Sequence, residues 1–134
     1  MRILVNIDVP KLGPAIEFYS AALSLNLGRI IDEDVAELTG ASSVIYLLQV
    51  APGTRPVKGL GDVRQYSRHW TPVHLDFVVE DIELAAKRAL NAGALQESEC
   101  VQWKGSKCMT FSDPFGHGFC LLELARETYS DDAM

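Results

Sequence analysis

Apolar and polar residues alternate at the start of the chain. Over residues 2–9 the odd positions are apolar, whereas the even positions include Asn6 and Asp8. This period of two predicts a β-strand with one face towards a core. Over residues 12–23 apolar residues recur at helical spacing, which predicts a helix, and three short strand-like runs follow as far as Val50.

The same order of elements recurs in the second half of the chain. Residues 73–79 (VHLDFVV) predict a buried strand that carries His74. Asp81 is a predicted N-cap, and Gly93 is the predicted end of the helix that follows. Three further strand-like runs come next, and a tight turn at residues 113–116 (DPFG) separates the last two.

The two halves of the chain align at nearly constant offsets. An offset of 70 positions places Leu4 on His74, and an offset of 74 places residues 46–50 on residues 120–124. A period this long indicates a pseudo-duplication rather than a solenoid. The pattern therefore predicts an α+β fold built from tandem βαβββ modules.

A single domain is predicted to cover residues 1–134. Its first module, linker, second module and tail occupy residues 1–51, 52–70, 71–125 and 126–134. The linker is rich in proline and glycine and carries four basic residues against one acid, Asp62. Its simplest interpretation is a solvated connection over the surface, and the alternative is that its cations help to gather an anionic ligand.

The composition limits the possible functions. A chain of 134 residues is long enough for one domain with a sizeable core. The net charge of −6 and pI near 4.9 argue against partners such as nucleic acid or an anionic membrane. No apolar run approaches the roughly 20 residues that span a bilayer. Three cysteines without C-x-x-C spacing predict a reduced, cytoplasmic protein rather than a disulfide framework or a zinc knuckle.

The repeat, the AIEFY stretch in the first predicted helix and the later SDPFGHGFCLLEL together resemble the vicinal oxygen chelate superfamily. This superfamily includes glyoxalases, bleomycin-resistance proteins, fosfomycin-modifying enzymes and extradiol dioxygenases. The resemblance implies tandem modules whose curled mixed sheet surrounds a cleft, and it implies a homodimer. In metal-using relatives each module supplies two ligands, and the corresponding positions here are Leu4, Tyr46, His74 and Cys120.

Two of these four positions hold no conventional metal ligand. Leucine has no donor atom, and tyrosine must lose a proton with a pKa of about 10 before it binds a metal. We therefore predict no cofactor and no catalytic metal, with His74 and Cys120 as weak metal candidates. A divalent metal held by His74, Asp76 and Cys120 is the alternative, because Asp76 shares a strand face with His74. Glu123 lies three residues past Cys120 and is expected on the opposite face.

Without a metal, the same positions still supply polar side chains to the expected cleft. The predicted ligand-binding residues are Asn6, Asp8, Tyr46, His69, Trp70, His74, Asp76 and Cys120. His74 and Asp76 are also the candidate catalytic residues, since either can act as a base. The structural alternative is that these polar groups hydrogen-bond to one another and to ordered water.

The leading functional prediction is a protein that binds or sequesters a small organic molecule, as the bleomycin-resistance group does. The alternative is a metal-dependent lyase or dioxygenase, related to glyoxalase, with an altered metal site. A third hypothesis is a metal-free isomerase or epimerase that uses His74 or Asp76 as its base. The sequence leaves open whether the protein is an enzyme, and no feature of it identifies a substrate.

Overall fold

The computed structural model describes residues 1–126 and 128–133, so Glu127 and Met134 of the predicted tail lie outside the described residues. The described residues form two helices and nine strands, arranged in two mixed sheets. They divide into two compact units, Met1–Ser67 and Arg68–Met134, and the boundary falls inside the predicted linker. The predicted α+β class is confirmed.

The first unit consists of one helix and a four-stranded sheet. In chain order its elements are β1 (Val5–Val9), α1 (Leu12–Leu23), β2 (Asn26–Ile31), β3 (Val35–Thr39) and β4 (Ile45–Gln49). The sheet order is β1-β4-β3-β2, in which β1 runs parallel to β4 and the other neighbours are antiparallel. These elements follow the predicted order of one strand, one helix and three strands.

The second unit has the same plan with one strand more. Its elements are β5 (Leu75–Val78), α2 (Ile82–Ala92), β6 (Leu95–Gln96), β7 (Val101–Trp103), β8 (Ser106–Ser112) and β9 (Gly118–Glu123). The sheet order is β5-β9-β8-β6, and β7 also pairs with β8. As in the first unit, the first and last strands are parallel neighbours, here β5 and β9.

The extra strand arises because one predicted strand of the second module is divided. The run over residues 94–103 forms both β6 and β7, which pair with different parts of β8. Between them the amides of Glu97 and Ser98 donate to the carbonyl of Thr110 at 2.8 and 3.3 Å. The hydroxyl of Ser98 in turn accepts from the amide of Thr110 at 3.0 Å. A side chain thus replaces a backbone partner and interrupts the ladder.

Each helix covers one face of its own sheet. The buried residues of α1 are Leu12, Ala15, Phe18, Tyr19 and Ala22, and those of α2 are Ile82, Ala85, Ala86 and Ala89. Both sets recur at helical spacing, as the sequence predicts. In the second sheet the ring of Phe119 packs against those of Phe77 and Phe111, with centroids 5.8 and 5.7 Å away. Among the described residues, neither helix combines the length and apolarity needed to cross a bilayer.

In both helices the first amide donates to the side chain at the end of the last strand of the same sheet. Gln49, the last residue of β4, accepts a hydrogen bond from the amide of Leu12 at 2.9 Å. Glu123, the last residue of β9, accepts one from the amide of Ile82 at 3.1 Å. The two pairs are related by the offsets found in the sequence, so the pseudo-duplication extends to side-chain contacts. The contact also places Glu123 on the helix-facing side of β9, which confirms its predicted orientation.

The predicted boundaries of α2 are also confirmed. The side chain of Asp81 accepts from the amides of Glu83 and Leu84, both at 3.1 Å, and so satisfies two of the unpaired groups of the first turn. Gly93 ends the helix with a φ of 114°, a conformation in which a side chain would be strained.

The linker is held by hydrogen bonds within itself and by one to the end of the first module. The amide of Gly53 donates to the carbonyl of Arg64, and the amide of Arg64 donates to the carbonyl of Thr54, both at 2.8 Å. The hydroxyl of Tyr66 donates to the carbonyl of Val50 at 2.7 Å. These bonds give the long linker a fixed path although it contains no helix or strand.

We predict that Asp81→Ala lowers the free energy of unfolding by about 1 kcal/mol, because two amides of the first turn lose their partner. The free energy is measured by urea denaturation followed by circular dichroism. Glu80→Ala alters the preceding exposed residue and serves as the control, with an expected change below about 0.5 kcal/mol. Equal losses in the two variants would contradict the capping role of Asp81.

Candidate functional site

Three predicted site residues come together at one edge of the second sheet. Asp76 in β5 lies directly opposite Cys120 in β9, and His74 precedes β5 by one residue. His74 and Asp76 are 32% and 40% exposed in their side chains, because β5 is an edge strand. The prediction that His74 lies inside a buried strand is therefore wrong.

The donor atoms of these three residues are close to one another. Nε2 of His74 lies 3.3 Å from Oδ1 of Asp76. These two atoms and Sγ of Cys120 all lie within 4.8 Å of one another. Cys120 is buried, and its sulfur is 3.5 Å from the hydroxyl of Thr110 on β8. The structure therefore assembles a nitrogen, an oxygen and a sulfur donor on a single sheet face.

Both cysteines on this face are held as thiols. Burial raises the pKa of Cys120 above its ordinary value. Burial, reinforced by the nearby Cys120, raises the pKa of Cys108 to about 12. A nucleophilic cysteine reacts as its thiolate, so neither residue is activated for that role at neutral pH.

A short segment at the end of the linker, Arg68 to Trp70, packs beside His74. The guanidinium of Arg68 contacts both carboxylate oxygens of Glu97, each at 2.6 Å. The same group lies 5.7 Å from the ring centroid of Trp70, and the Trp70 ring lies 4.7 Å from that of His74 at an angle of 43°. The amide of His69 donates to the carbonyl of Gly116 at 3.4 Å. Trp70 is therefore held as an aromatic platform next to the imidazole, yet it remains 49% exposed.

The platform depends on the absence of a side chain at Gly118, the first residue of β9. A Cβ atom at this position would lie 2.7 Å from a guanidinium nitrogen of Arg68 and 2.9 Å from two carbons of the Trp70 ring. Real Cβ atoms do not make contacts this short, so any larger residue must displace Arg68 and Trp70.

In the first unit, Tyr46 belongs to a different kind of network. Asn6, Tyr46 and Glu37 are neighbours across β1, β4 and β3. The hydroxyl of Tyr46 donates to Glu37 at 2.9 Å, and Arg29 contacts the same carboxylate at 3.1 Å. Hydrogen bonds from Arg29 and Tyr46 lower the pKa of Glu37, and the bond to Glu37 raises the pKa of Tyr46. The phenol is therefore held in its protonated form.

Asp8, also in β1, forms an ion pair with a linker residue. Nε of Arg64 lies 2.7 Å from Oδ2 of Asp8, and the guanidinium also contacts the hydroxyl of Thr54. Local sequence patterns do not indicate that Arg64, Arg29 or Glu37 would be partners of these residues. The position of Glu37 was open to prediction, because it is a charged residue within the otherwise apolar strand β3. The partner of Asp8 was not, because Arg64 lies 56 residues away in the sequence.

The residues at the four ligand positions that the resemblance implies do not fit a metal chelate. Leu4 has no donor atom, and the phenol of Tyr46 is protonated and bound to Glu37. Only His74 and Cys120 remain, and a metal ion in an enzyme of this type requires more protein ligands than two. A chelate with two ligands from each module is thus incompatible with the chemistry of this chain.

The sequence is similar to known proteins along most of its length. Residues 4–122 match the model of the glyoxalase-like domain. An uncharacterised protein of Mycobacterium bovis is 30% identical over 128 residues, which cover 92% of this chain and 84% of that protein. The anthracycline biosynthesis protein DauV of Streptomyces sp. strain C5 is 30% identical over 130 residues, which cover 93% of this chain but 42% of DauV.

Solved structures show a common fold at low sequence identity. The fosfomycin resistance protein FosX of Listeria monocytogenes superimposes with a TM-score of 0.73 at 15% identity, over 95% of this chain and 93% of FosX. A glyoxalase/bleomycin resistance protein/dioxygenase of Alicyclobacillus acidocaldarius gives a TM-score of 0.64 at 18% identity, over 98% of this chain and 93% of that one.

We predict that Gly118→Ala displaces Trp70 from the sheet and lowers the free energy of unfolding by about 1–3 kcal/mol, since the added methyl group overlaps the ring. Tryptophan emission, recorded in a Trp103→Phe background, should shift to longer wavelength as the Trp70 ring becomes more hydrated. Gly61→Ala is the control, because nothing lies within 4 Å of its added methyl group. An unchanged emission spectrum in Gly118→Ala would contradict the close packing.

We predict that Glu97→Gln lowers stability by up to about 1 kcal/mol at neutral pH, because the ion pair with Arg68 is lost. The hydrogen bond from Arg68 lowers the pKa of Glu97 below 4.5 in the folded protein. The stabilisation by the Glu97 carboxylate is therefore complete above pH 4.5, and it is lost as the pH falls through the pKa of Glu97 in the folded protein. Urea denaturation should show the gap between wild type and Glu97→Gln closing below pH 4.5.

The exposed neighbour Glu99 provides the control for this pH dependence, since Glu99→Gln removes a carboxylate from the same segment without touching Arg68. The difference in free energy of unfolding between Glu99→Gln and the wild type should stay constant as the pH is lowered. A gap between wild type and Glu97→Gln that widens in acid would be opposite in sign to the prediction.

Proposed function

Because the chain belongs to the glyoxalase-like domain family of the vicinal oxygen chelate superfamily, we propose that it binds a small organic molecule without the family's two-ligands-per-module metal chelate. The observation that carries this proposal is the half-exposed ring of Trp70 beside the His74–Asp76 pair. An aromatic surface with a few directional polar groups is the usual composition of a small-molecule site.

The position of Trp70 favours a planar ligand. Contacts from Arg68 and Gly118 fix the ring before any ligand arrives, so little conformational entropy is lost when a flat molecule stacks on it. The adjacent imidazole of His74 and carboxylate of Asp76 offer one hydrogen-bond donor or acceptor each at the rim of the platform.

The charge of the protein favours a cationic ligand. The chain carries a net charge of −6. Three of the linker's four basic residues are engaged within the protein: Arg55 with the carbonyls of Leu60 and Gly61, Arg64 with Asp8, and Arg68 with Glu97. The alternative that the linker gathers an anion is therefore less well supported than a preference for cations. Bleomycin and the anthracyclines are planar or partly planar cations, and similar proteins carry these compound classes in their names.

A metal-dependent lyase or dioxygenase is the second candidate function. The cluster of His74, Asp76 and Cys120 favours it, because an ion there would have three protein donors. Protein purified without a chelator should then contain one equivalent of metal, and content far below one ion per chain would exclude this candidate. A homodimer and a cytoplasmic location remain predictions, and the mass in solution from light scattering tests the former.

We predict that doxorubicin or bleomycin binds to the reduced protein in the presence of EDTA and is recovered chemically unchanged. Trp70→Ala should weaken binding about tenfold, as expected for the loss of one stacking aromatic group. Affinity is measured by isothermal titration calorimetry, and recovery is measured by mass spectrometry.

Trp103→Ala is the matched control for this experiment, because Trp103 is the other tryptophan of the unit and is 59% exposed. It should leave the affinity within about twofold of the wild type. Equal weakening in both variants would mean that the ligand does not stack on Trp70. Chemical conversion of the ligand would mean that the protein is an enzyme rather than a binding protein.

A further inference from the structure

The cluster of His74, Asp76 and Cys120 has the donor chemistry of a zinc site. Its three groups are an imidazole, a carboxylate and a sulfur, all of which are common protein ligands of Zn²⁺. Hard ions such as Mg²⁺ prefer oxygen donors alone, so a set with one sulfur and one nitrogen disfavours them. The mixture of donors therefore selects a borderline-soft divalent ion.

The spacing of the donor atoms is close to that of a tetrahedral site. Zinc bonds of about 2.0–2.3 Å place neighbouring ligand atoms about 3.3–3.6 Å apart. Nε2 of His74 and Oδ1 of Asp76 are already 3.3 Å apart. Sγ of Cys120 lies within 4.8 Å of both, so closure requires movements of up to about 1.5 Å. The half-exposed side chains of His74 and Asp76 can make this adjustment by rotation, without moving the strands.

The backbone also supports the arrangement. Asp76 and Cys120 are paired in the register of β5 and β9, which fixes their separation, and Cys120 is kept in place by contact with Thr110. His74 enters from the exposed end of β5, so solvent and ions can reach the cluster from that side. Three protein donors leave the fourth position open to water or to a donor atom of another molecule.

We propose that the second unit alone binds one Zn²⁺ ion through His74 Nε2, Asp76 Oδ1 and Cys120 Sγ. This site differs from the chelate implied by the resemblance, because it uses Asp76 and takes nothing from Leu4 or Tyr46. It goes beyond the proposed function, since ion binding requires neither the organic ligand nor turnover. It also puts to the test the expectation from sequence that no metal binds.

The test uses the 134-residue chain, reduced and freed of metal with EDTA, which is then removed. Co²⁺ is the spectroscopic probe, because a cobalt–thiolate bond gives a charge-transfer band in the near ultraviolet. The wild type should develop this band with one equivalent of Co²⁺ and lose it when one equivalent of Zn²⁺ is added. Absence of the band, or binding that does not saturate near one equivalent, means an adventitious ion only and overturns the proposal.

Variants identify the ligands. Cys120→Ala should abolish the charge-transfer band, and His74→Ala and Asp76→Asn should each weaken Co²⁺ binding at least about tenfold, since the loss of an outer partner alone costs that much. Cys100→Ser and Cys108→Ala are matched controls that remove the other two thiols and should retain the band. A band that survives Cys120→Ala, or disappears in Cys108→Ala, overturns the proposed ligand set.

Folding is checked for each variant by thermal melting. His74→Ala and Asp76→Asn alter half-exposed side chains, so they keep the proposal testable even if Cys120→Ala unfolds. Zn²⁺ should raise the melting temperature of the wild type and leave that of Asp76→Asn nearly unchanged. Organic-ligand binding is measured in EDTA, so failure of the zinc site and failure of the proposed binding function are separate results.

Discussion

In each unit, the parallel pairing of the first strand with the last one organises the rest of the structure. A parallel pair cannot be closed by a tight turn, so the chain must cross over through the helix and the intervening strands before it returns. The polar residue at the end of the last strand, Gln49 or Glu123, then accepts a hydrogen bond from the first amide of the helix. One contact thereby links strand, sheet and helix in both units.

This pairing also decides which polar side chains meet. It brings Tyr46 beside Asn6 in the first sheet and Cys120 beside Asp76 in the second. Because the side chains of a strand alternate between faces, a shift of one residue in either register would turn these groups towards the helix. The site chemistry is therefore tied to the same hydrogen bonds that hold the fold, and the helix-facing packing of Phe119 helps to fix the register.

The two units share a backbone plan but differ in the chemistry of their open faces. In the first unit Glu37 is shared by Tyr46 and Arg29, and Asp8 is bound by Arg64, so these groups satisfy one another. In the second unit His74, Asp76 and Cys120 bring three donors of different kinds together beside an exposed aromatic ring. Such a group of donors has capacity for an external partner, which is why both proposals lie on this face.

The elements and much of the candidate site could be predicted, but several contacts could not. The period of α1, the cap at Asp81 and the orientation of Glu123 follow from spacing along a few neighbouring residues. The division of β6 from β7 does not, because it depends on a hydrogen bond from Thr110 to Ser98 across the sheet. The position of Trp70 is equally inaccessible, since it rests on the missing side chain of Gly118, 48 residues further along the sequence.

The sequence by itself determined the α+β class and the repeat, because these depend on residue types and on periodicity within short segments. Only the tertiary structure decided that Tyr46 is bound to Glu37, that His74 lies at an exposed strand edge and that Asp76 approaches Cys120. These facts depend on distances between side chains from strands far apart in the chain, and such distances are fixed by strand register and packing, which local patterns do not encode.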